Sequence, residues 1–361
     1  MNKEENRVLM TVSNLKMTSG VSSFWNSLLR EFNKFDDIAF EALEIGGHGK
    51  NIFGILGDQI RFYRSLNGIK LGFINPSLLN RSFFRDAFFI RQLLWKKTPF
   101  VVFFHGWELD FEAEVDSKYV DFFMKTYGQA ELIFVLSNDF RDKIYEWGYR
   151  GRVVVETTNA DIELIDNYSY ENRVEVMKST KPFKILFLAR LIREKGAFEL
   201  VKAVDILYQR GFEDIELTIA GDGEDFKELQ KMVKEIPYIH LTGDVQGEEK
   251  INLFKESHLY ALPSYYGEGL PTSILEAMLF GIPVVTSQAG GLKYFFEDEK
   301  MGYLVETKNP ENIADGLEKL LVNHKKMEEI SKYNFIYAQE HVTNVVMAKR
   351  LHSEIQKVLQ R

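Results

Sequence analysis

Residues 262–285 read LPSYYGEGLPTSILEAMLFGIPVV. The apolar run through Leu262 ends a strand, and Val284 and Val285 begin another. Between them Pro271 stands where a helix starts, because its missing N–H costs nothing in the first turn. Ser273 to Met278 continue the helix, and Gly281-Ile282-Pro283 stops it. Strand, helix and strand in that order form a crossover unit, which joins parallel strands. Gly267 and Gly269 bracket Glu268 just before the helix. The first-turn N–H groups of Gly269, Leu270 and Thr272 would then form an anion site at the helix start. Glu276 follows two turns after Glu268. A carboxylate accepts two hydroxyl hydrogen bonds at once, so either suits the diol of a ribose or hexose.

The same alternation extends in both directions. Short apolar runs at Val8–Ser13, Phe40–Ile45, Leu71–Asn75, Phe100–Phe104, Leu132–Leu136 and Val153–Glu156 read as strands, each followed by a helical pattern. A second series reads Ile185–Leu188, Ile215–Ala220, His240–Leu241, Leu259–Leu262, Val284–Thr286 and Tyr303–Val305. Continuous β-branched and aromatic runs, rather than alternating ones, mark strands covered on both faces. The fold class is α/β with two Rossmann-like, doubly wound domains facing across a cleft, where ligands bind at the carboxyl ends of the strands. The polar stretch NYSYENRVEVMKSTKPFK breaks the series. It sets an N-terminal domain at 1–170, a linker at 171–183, a C-terminal domain at 184–342 and a terminal helix at 343–361 that packs back on the N-terminal domain.

In ILFLARLIREKG, residues 185–196, a strand ends at Leu188 and Arg190 and Lys195 follow in the loop. Two cations at a strand's carboxyl end suit a diphosphate, Arg through its planar fork and Lys as a point charge. Either segment alone reads equally well as a solvated loop. Together they describe a nucleoside-diphosphate site.

Composition narrows the field. A chain of 361 residues with 45% hydrophobic and 27% charged residues is globular, and its length suits two domains. It has no cysteine, so disulfides, thiolate catalysis and cysteine-ligated metals are excluded. A net charge of −8 argues against a nucleic-acid partner. The start, MNKEENRVLM, has no apolar segment of signal-peptide length, and no run reaches the ~18–20 apolar residues of a spanning helix. A cytoplasmic location fits, with peripheral contact at the inner face of the membrane. Residues 61–100 hold eight Lys or Arg against the single acid Asp86. They also include FFRDAFFIRQLLWKK, an aromatic helix whose apolar residues mostly bury against a sheet. The surplus charge points to an anionic membrane surface as a partner.

These residues resemble the retaining glycosyltransferases of the GT-B fold, family 4 of the group 1 glycosyltransferases. EGLPTSILE carries the family's Glu-x7-Glu as Glu268 and Glu276. ARLIREKG matches its Gly-Arg-Leu…Lys-Gly, with Ala189 for the usual glycine. TIAGDGED, LTGDVQGEEK and MTSGVSSFWNSLLREF are further matches, the last with Ser19-Gly20 for Gly-Gly. By that resemblance Arg190 and Lys195 bind the diphosphate, Glu276 holds the ribose, and Glu268 contacts the donor sugar. Gly269, Leu270 and Thr272 supply backbone donors, Val245 and Lys250 line the base pocket, and Gly20 belongs to the first loop of the acceptor domain. His105, in VVFFHGWELD, is the family's histidine facing the donor sugar. Read alone, it is a lone histidine after a strand, which is more often structural. Asn159 and Asp161 match a family loop and read as structural.

The resemblance implies transfer of a sugar from a UDP- or GDP-linked donor, with retention, to an acceptor hydroxyl. The segment before His105 resembles that of bacterial enzymes of surface polysaccharide synthesis, whose acceptors are commonly lipid-linked glycans. No cofactor is called for. No Asp-x-Asp and no HExxH occurs, so no metal site is expected. A nucleotide-sugar epimerase or phosphorylase of the same fold, and a non-catalytic nucleotide-sugar-binding protein, remain alternatives.

Overall fold

The computed structural model describes residues 3, 5–16, 20–46, 52–178, 182–265 and 270–361. The chain forms two compact units, Met1–Asn159 with Asn344–Arg361, and Ala160–Thr343.

In the N-terminal unit, β1 (Arg7–Val12), β2 (Ala39–Glu44), β3 (Leu71–Ile74), β5 (Phe100–Phe103), β7 (Leu132–Val135) and β8 (Arg152–Val155) form one sheet. Its order is β2-β1-β3-β5-β7-β8, and every pairing is parallel. Two short strands, β4 (Ser77–Leu78) and β6 (Gly106–Trp107), pair beyond the ends of β3 and β5. The second unit repeats the plan with β9 (Phe183–Leu188), β10 (Ile215–Ala220), β11 (Ile239–Gly243), β12 (Leu259–Leu262), β13 (Val284–Thr286) and β14 (Gly302–Leu304). Its order is β11-β10-β9-β12-β13-β14. In each sheet the chain runs first to one side of its opening strand and then to the other. The turning points lie between β1 and β3 and between β9 and β12, where ligands bind in sheets of this kind.

Side chains alternate across the first sheet. Leu9, Ile74, Val102 and Ile133 join the core under Phe83, Phe89 and Leu93, while Met10, Phe73, Val101 and Phe134 face Phe24, Trp25 and Leu28. The second face is completed from far along the chain. Helix Asn344–Leu359 adds Met347, Ala348, Leu351 and Ile355 to that core. It is fastened at its rim by Arg350 Nη2 to Glu156 Oε2 (2.8 Å), His352 Nε2 to Asp37 Oδ1 (2.7 Å) and Gln356 to Asp37 (3.0 Å).

The stretch read as a linker is different. Tyr170–Lys178 is a helix of the C-terminal unit, which begins at Ala160. The reason is Arg173, which is fully buried. Its guanidinium donates to the carbonyls of Ser257 and His258, just past helix Gly247–Glu256. A cation at that end also complements the helix dipole. One buried arginine in a polar stretch leaves no periodic signal, so the sequence reads as linker.

Leu351 is fully buried, so Leu351→Ala should lower the unfolding free energy by ~2–5 kcal/mol in urea titration. Exposed Lys349→Ala on the same helix should change it by no more than ~0.5 kcal/mol. A Leu351→Ala cost below ~1 kcal/mol would show that this helix does not seal the N-terminal core.

Candidate functional site

At the turning point of the C-terminal sheet, four strand-end loops are tied to one another by their backbones. The Leu191 N–H donates to Asp222 O (2.9 Å), and the Asp225 N–H returns to Leu191 O (3.1 Å). The Gly221 N–H reaches Gly243 O at 2.7 Å. On the other side, the Tyr265 N–H (2.8 Å) and Ser264 Oγ (3.1 Å) both donate to Glu194 O. Glycines permit this closeness, among them Gly223, where a Cβ would lie 2.3 Å from Leu191 O. Gly196 has φ +79°, and a Cβ there would lie 2.4 Å from Pro263 O. Gly221 has φ +140°, and a Cβ would lie 2.0 Å from Ala189 O.

The loop after β9 therefore runs pressed between its neighbours, with Arg190 exposed and Lys195 only 6% exposed. A third cation, Arg193, is engaged elsewhere: it pairs with Glu228 at 2.7 Å and lies over the Phe198 ring. The Tyr260 hydroxyl, at 2.9 Å from Leu188 O and 2.7 Å from Ser273 Oγ, links the end of β9 to the first turn of helix Thr272–Leu279. That helix starts after Pro271, which itself supplies no side-chain cap. The two segments expected to cooperate, 185–196 and 262–285, thus meet at adjacent strand ends. Glu268 and Gly269 lie outside the described residues. Leu270 is buried, Thr272 half-buried, and Val245 is buried in the core of this unit.

Glu276 lies in the second turn of the helix, 6% exposed. Lys250, expected at a base pocket, places Nζ 2.7 Å from Glu276 Oε1. The two stand on separate helices 26 residues apart, and nothing in the sequence pairs them.

In the N-terminal unit, His105 follows β5 and packs against Phe103, Phe24 and Trp25, with ring centroids at 4.0, 4.7 and 5.0 Å. Phe24 and Trp25 belong to helix Gly20–Phe32, so Gly20 opens the helix that backs the histidine. His105 Nε2 is buried and has no hydrogen-bond partner among the described residues. Burial lowers the ring's pKa to about 3, so it is neutral at physiological pH. Two further buried atoms at strand ends of this sheet lack partners among the described residues, Asn75 Oδ1 after β3, which neighbours β5, and Thr157 Oγ1 after the edge strand β8. The Asn75 amide is not free to turn, because its Nδ2 donates to Thr11 O at 2.6 Å. Sequence reading passed over Asn75; its one signal is its place at the turning point of the sheet. Asn159 has a structural task, accepting from Ser27 Oγ at 3.0 Å, and Asp161 caps a short 3₁₀ turn.

Residues 61–100 divide between core and surface. In helix Asn80–Lys96, Phe83, Phe89, Ile90 and Leu93 are buried, as expected. Phe88 and Trp95, however, are 56% and 71% exposed. Helix Ile52–Ser65 beside it exposes Phe53 (85%), Leu56, Ile60 and Tyr63, which fall on one side at helical spacing. Tyr63 stacks on Trp95 and joins the two stripes, and a cavity of about 70 Å³ opens between Phe84, Phe88, Arg91 and Phe122. Arg64, Arg81, Arg91, Lys96 and Lys97 are exposed around them. Arg85 is not part of that set: it is held at 2.6 Å by the fully buried Asp86. No helix among the described residues is long and apolar enough to cross a membrane.

The family model for glycosyl transferases group 1 matches residues 169–335. An uncharacterized glycosyltransferase of Methanocaldococcus jannaschii is 30% identical over 301 residues, 77% of this chain and 74% of that protein. The amylovoran biosynthesis glycosyltransferase of Erwinia amylovora is 27% identical over 64% of this chain and 56% of its own length. The chain belongs to the group 1 glycosyltransferases. Among solved structures, Anabaena HepE in complex with UDP and glucose superposes with a TM-score of 0.73 at 17% identity, covering 97% of this chain and 99% of that one. The fold is GT-B.

The unfolded chain protonates His105 below pH ~6.5, whereas the folded chain does so only near pH 3. Between those values the unfolded state takes up the proton first. Stability therefore falls with falling pH, by up to ~1.4 kcal/mol per unit from this group. His105→Phe should flatten the slope of urea stability between pH 6.5 and 4.5; an unchanged slope would mean that the ring already charges in the folded state.

Proposed function

We propose that this glycosyltransferase moves a sugar from a nucleoside-diphosphate sugar to an acceptor hydroxyl, with retention and without a metal ion. The observation that carries the reading is the tie between loops 189–196 and 263–265. It draws the loop that carries Arg190 and Lys195 against the segment that leads toward the helix starting at Thr272, which supports a diphosphate site there. As the bond from sugar C1 to the diphosphate breaks, negative charge grows on the leaving phosphate. Cations and N–H donors fixed in advance stabilise that charge at little cost in reorganisation. Arg190 and Lys195 take the diphosphate, the backbone at Leu270 and Thr272 adds donors, and Glu276 accepts from the ribose. The acceptor oxygen bonds to C1 on the face the phosphate leaves, and its proton passes to the departing phosphate oxygen. His105, neutral, orients a hydroxyl and carries no charge to the leaving group. Anabaena HepE, of the same fold, binds UDP, which favours this donor class.

The acceptor in this reading is a lipid-linked glycan of polysaccharide synthesis, met at an anionic membrane surface. The support is the paired stripe of Phe53, Leu56, Ile60, Phe88 and Trp95 with its surrounding cations. Apolar side chains enter the interface while Lys and Arg meet anionic headgroups.

Arg190→Ala and Lys195→Met should each lower turnover by ~10²–10³-fold, the scale for one preorganised donor, and wild-type transfer should persist in excess EDTA. Lys195 is buried, so thermal unfolding is measured alongside. More than half the wild-type rate in both variants, or a loss in EDTA restored by one divalent ion, would contradict the reading.

For the membrane, sedimentation with phosphatidylglycerol vesicles should fall on Arg64→Glu, Arg91→Glu and Lys97→Glu and with rising salt. Phe53→Ser with Trp95→Ser should remove the part that salt leaves behind. Equal binding to neutral and anionic vesicles would reject the electrostatic contribution.

A further inference from the structure

Helix Gly247–Glu256 delivers one side chain to the binding machinery of its neighbour. Lys250 Nζ lies 2.7 Å from Glu276 Oε1, a charge-assisted contact at short range. The burial of the two partners differs: the Glu276 side chain is 7% exposed, that of Lys250 24%. An ionised carboxylate that deep is costly without a counter-charge. The helix dipole cannot replace it, because its effect fades beyond the first turn and Glu276 is in the second. Phe254, the apolar residue one turn after Lys250, is fully buried, which anchors the helix that carries the lysine.

We propose that Lys250 is a positioning residue for nucleotide recognition. It fixes the plane of the Glu276 carboxylate, so that both oxygens are presented in one orientation to a vicinal diol. The inference rests on the reading of Glu276 as the ribose acceptor. A ribose offers two adjacent O–H donors, and a carboxylate in a fixed plane accepts from both. A carboxylate that turns freely no longer holds both acceptors in that one orientation. Lys250 thereby governs discrimination between ribose and 2′-deoxyribose, although it touches neither.

The test is calorimetric titration of wild type, Lys250→Met, Lys250→Arg, Glu276→Gln and the Lys250→Met/Glu276→Gln double variant. The probes are the tighter-binding of UDP and GDP, and its 2′-deoxy counterpart. Wild type should prefer the ribonucleotide by about tenfold, the scale of one hydrogen bond to a charged group. Glu276→Gln should remove that preference. Lys250→Met should weaken the ribonucleotide by about tenfold and the deoxynucleotide by less than about twofold, and Lys250→Arg should restore most of the loss. The double variant should bind no worse than Glu276→Gln alone, because the two residues act as one unit. Equal weakening of both nucleotides by Lys250→Met, or no weakening, overturns the proposal and leaves Lys250 a packing role. A ribose preference that survives Glu276→Gln, or failure of either nucleotide to bind wild type, overturns instead the reading of Glu276 on which it rests.

Discussion

Backbone touches backbone at the carboxyl edge of the C-terminal sheet with no room for a side chain between. Gly221 against Ala189, Gly223 against Leu191 and Gly196 against Pro263 are places where a Cβ would collide with a carbonyl oxygen. Those contacts press the loop after β9 between the loops after β10 and β12. The positions of Arg190 and Lys195 follow from that pressure. So does the register of helix Thr272–Leu279, through the Tyr260 hydroxyl. Electrostatic stabilisation is strongest when donors are fixed before charge develops. Here they are fixed by main chain, which has fewer soft torsions than any side-chain network.

The two sheets share one winding plan and end in different chemistry. The C-terminal edge carries cations, a helix start and a buried carboxylate with its lysine. The N-terminal edge carries uncharged groups, His105, Asn75 and Thr157, and His105 is backed by the rings of Phe24, Trp25 and Phe103. The aromatic packing is why His105 stays neutral, since burial disfavours its charged form. A winding plan thus fixes where a site lies, while the residues at the strand ends decide what it handles.

The strands of the two main sheets are legible as apolar runs, most clearly the central ones such as β3, β5, β7 and β12, which are buried on both faces and leave continuous signals, whereas the edge strands β2, β8 and β11 are partly exposed. The pairing of segments 185–196 and 262–285 is legible too, since β9 and β12 flank a turning point. What escapes depends on single contacts without period. Arg173 turns an apparent linker into a helix by binding two carbonyls. Lys250 finds Glu276 across 26 residues. Arg85 looks like a surface cation and is committed to Asp86. The outward stripe of helix Ile52–Ser65 escapes for another reason: the helix is apolar on two sides, with Phe62 in the core and Phe53, Leu56 and Ile60 outward. A periodic pattern marks a buried stripe only when the opposite face is polar.

The passage of the chain between its units has a consequence for synthesis. Residues 160–343 form a contiguous body, whereas the N-terminal body is interrupted and needs helix Asn344–Leu359 to cover one face of its sheet. As the polypeptide emerges, the first sheet has its strands but not its last cover. Met10, Phe73, Val101 and Phe103 wait, partly clothed, while the whole second body is made. The domain begun first is finished last. During that interval the unsealed face is the surface most in need of a chaperone's shelter.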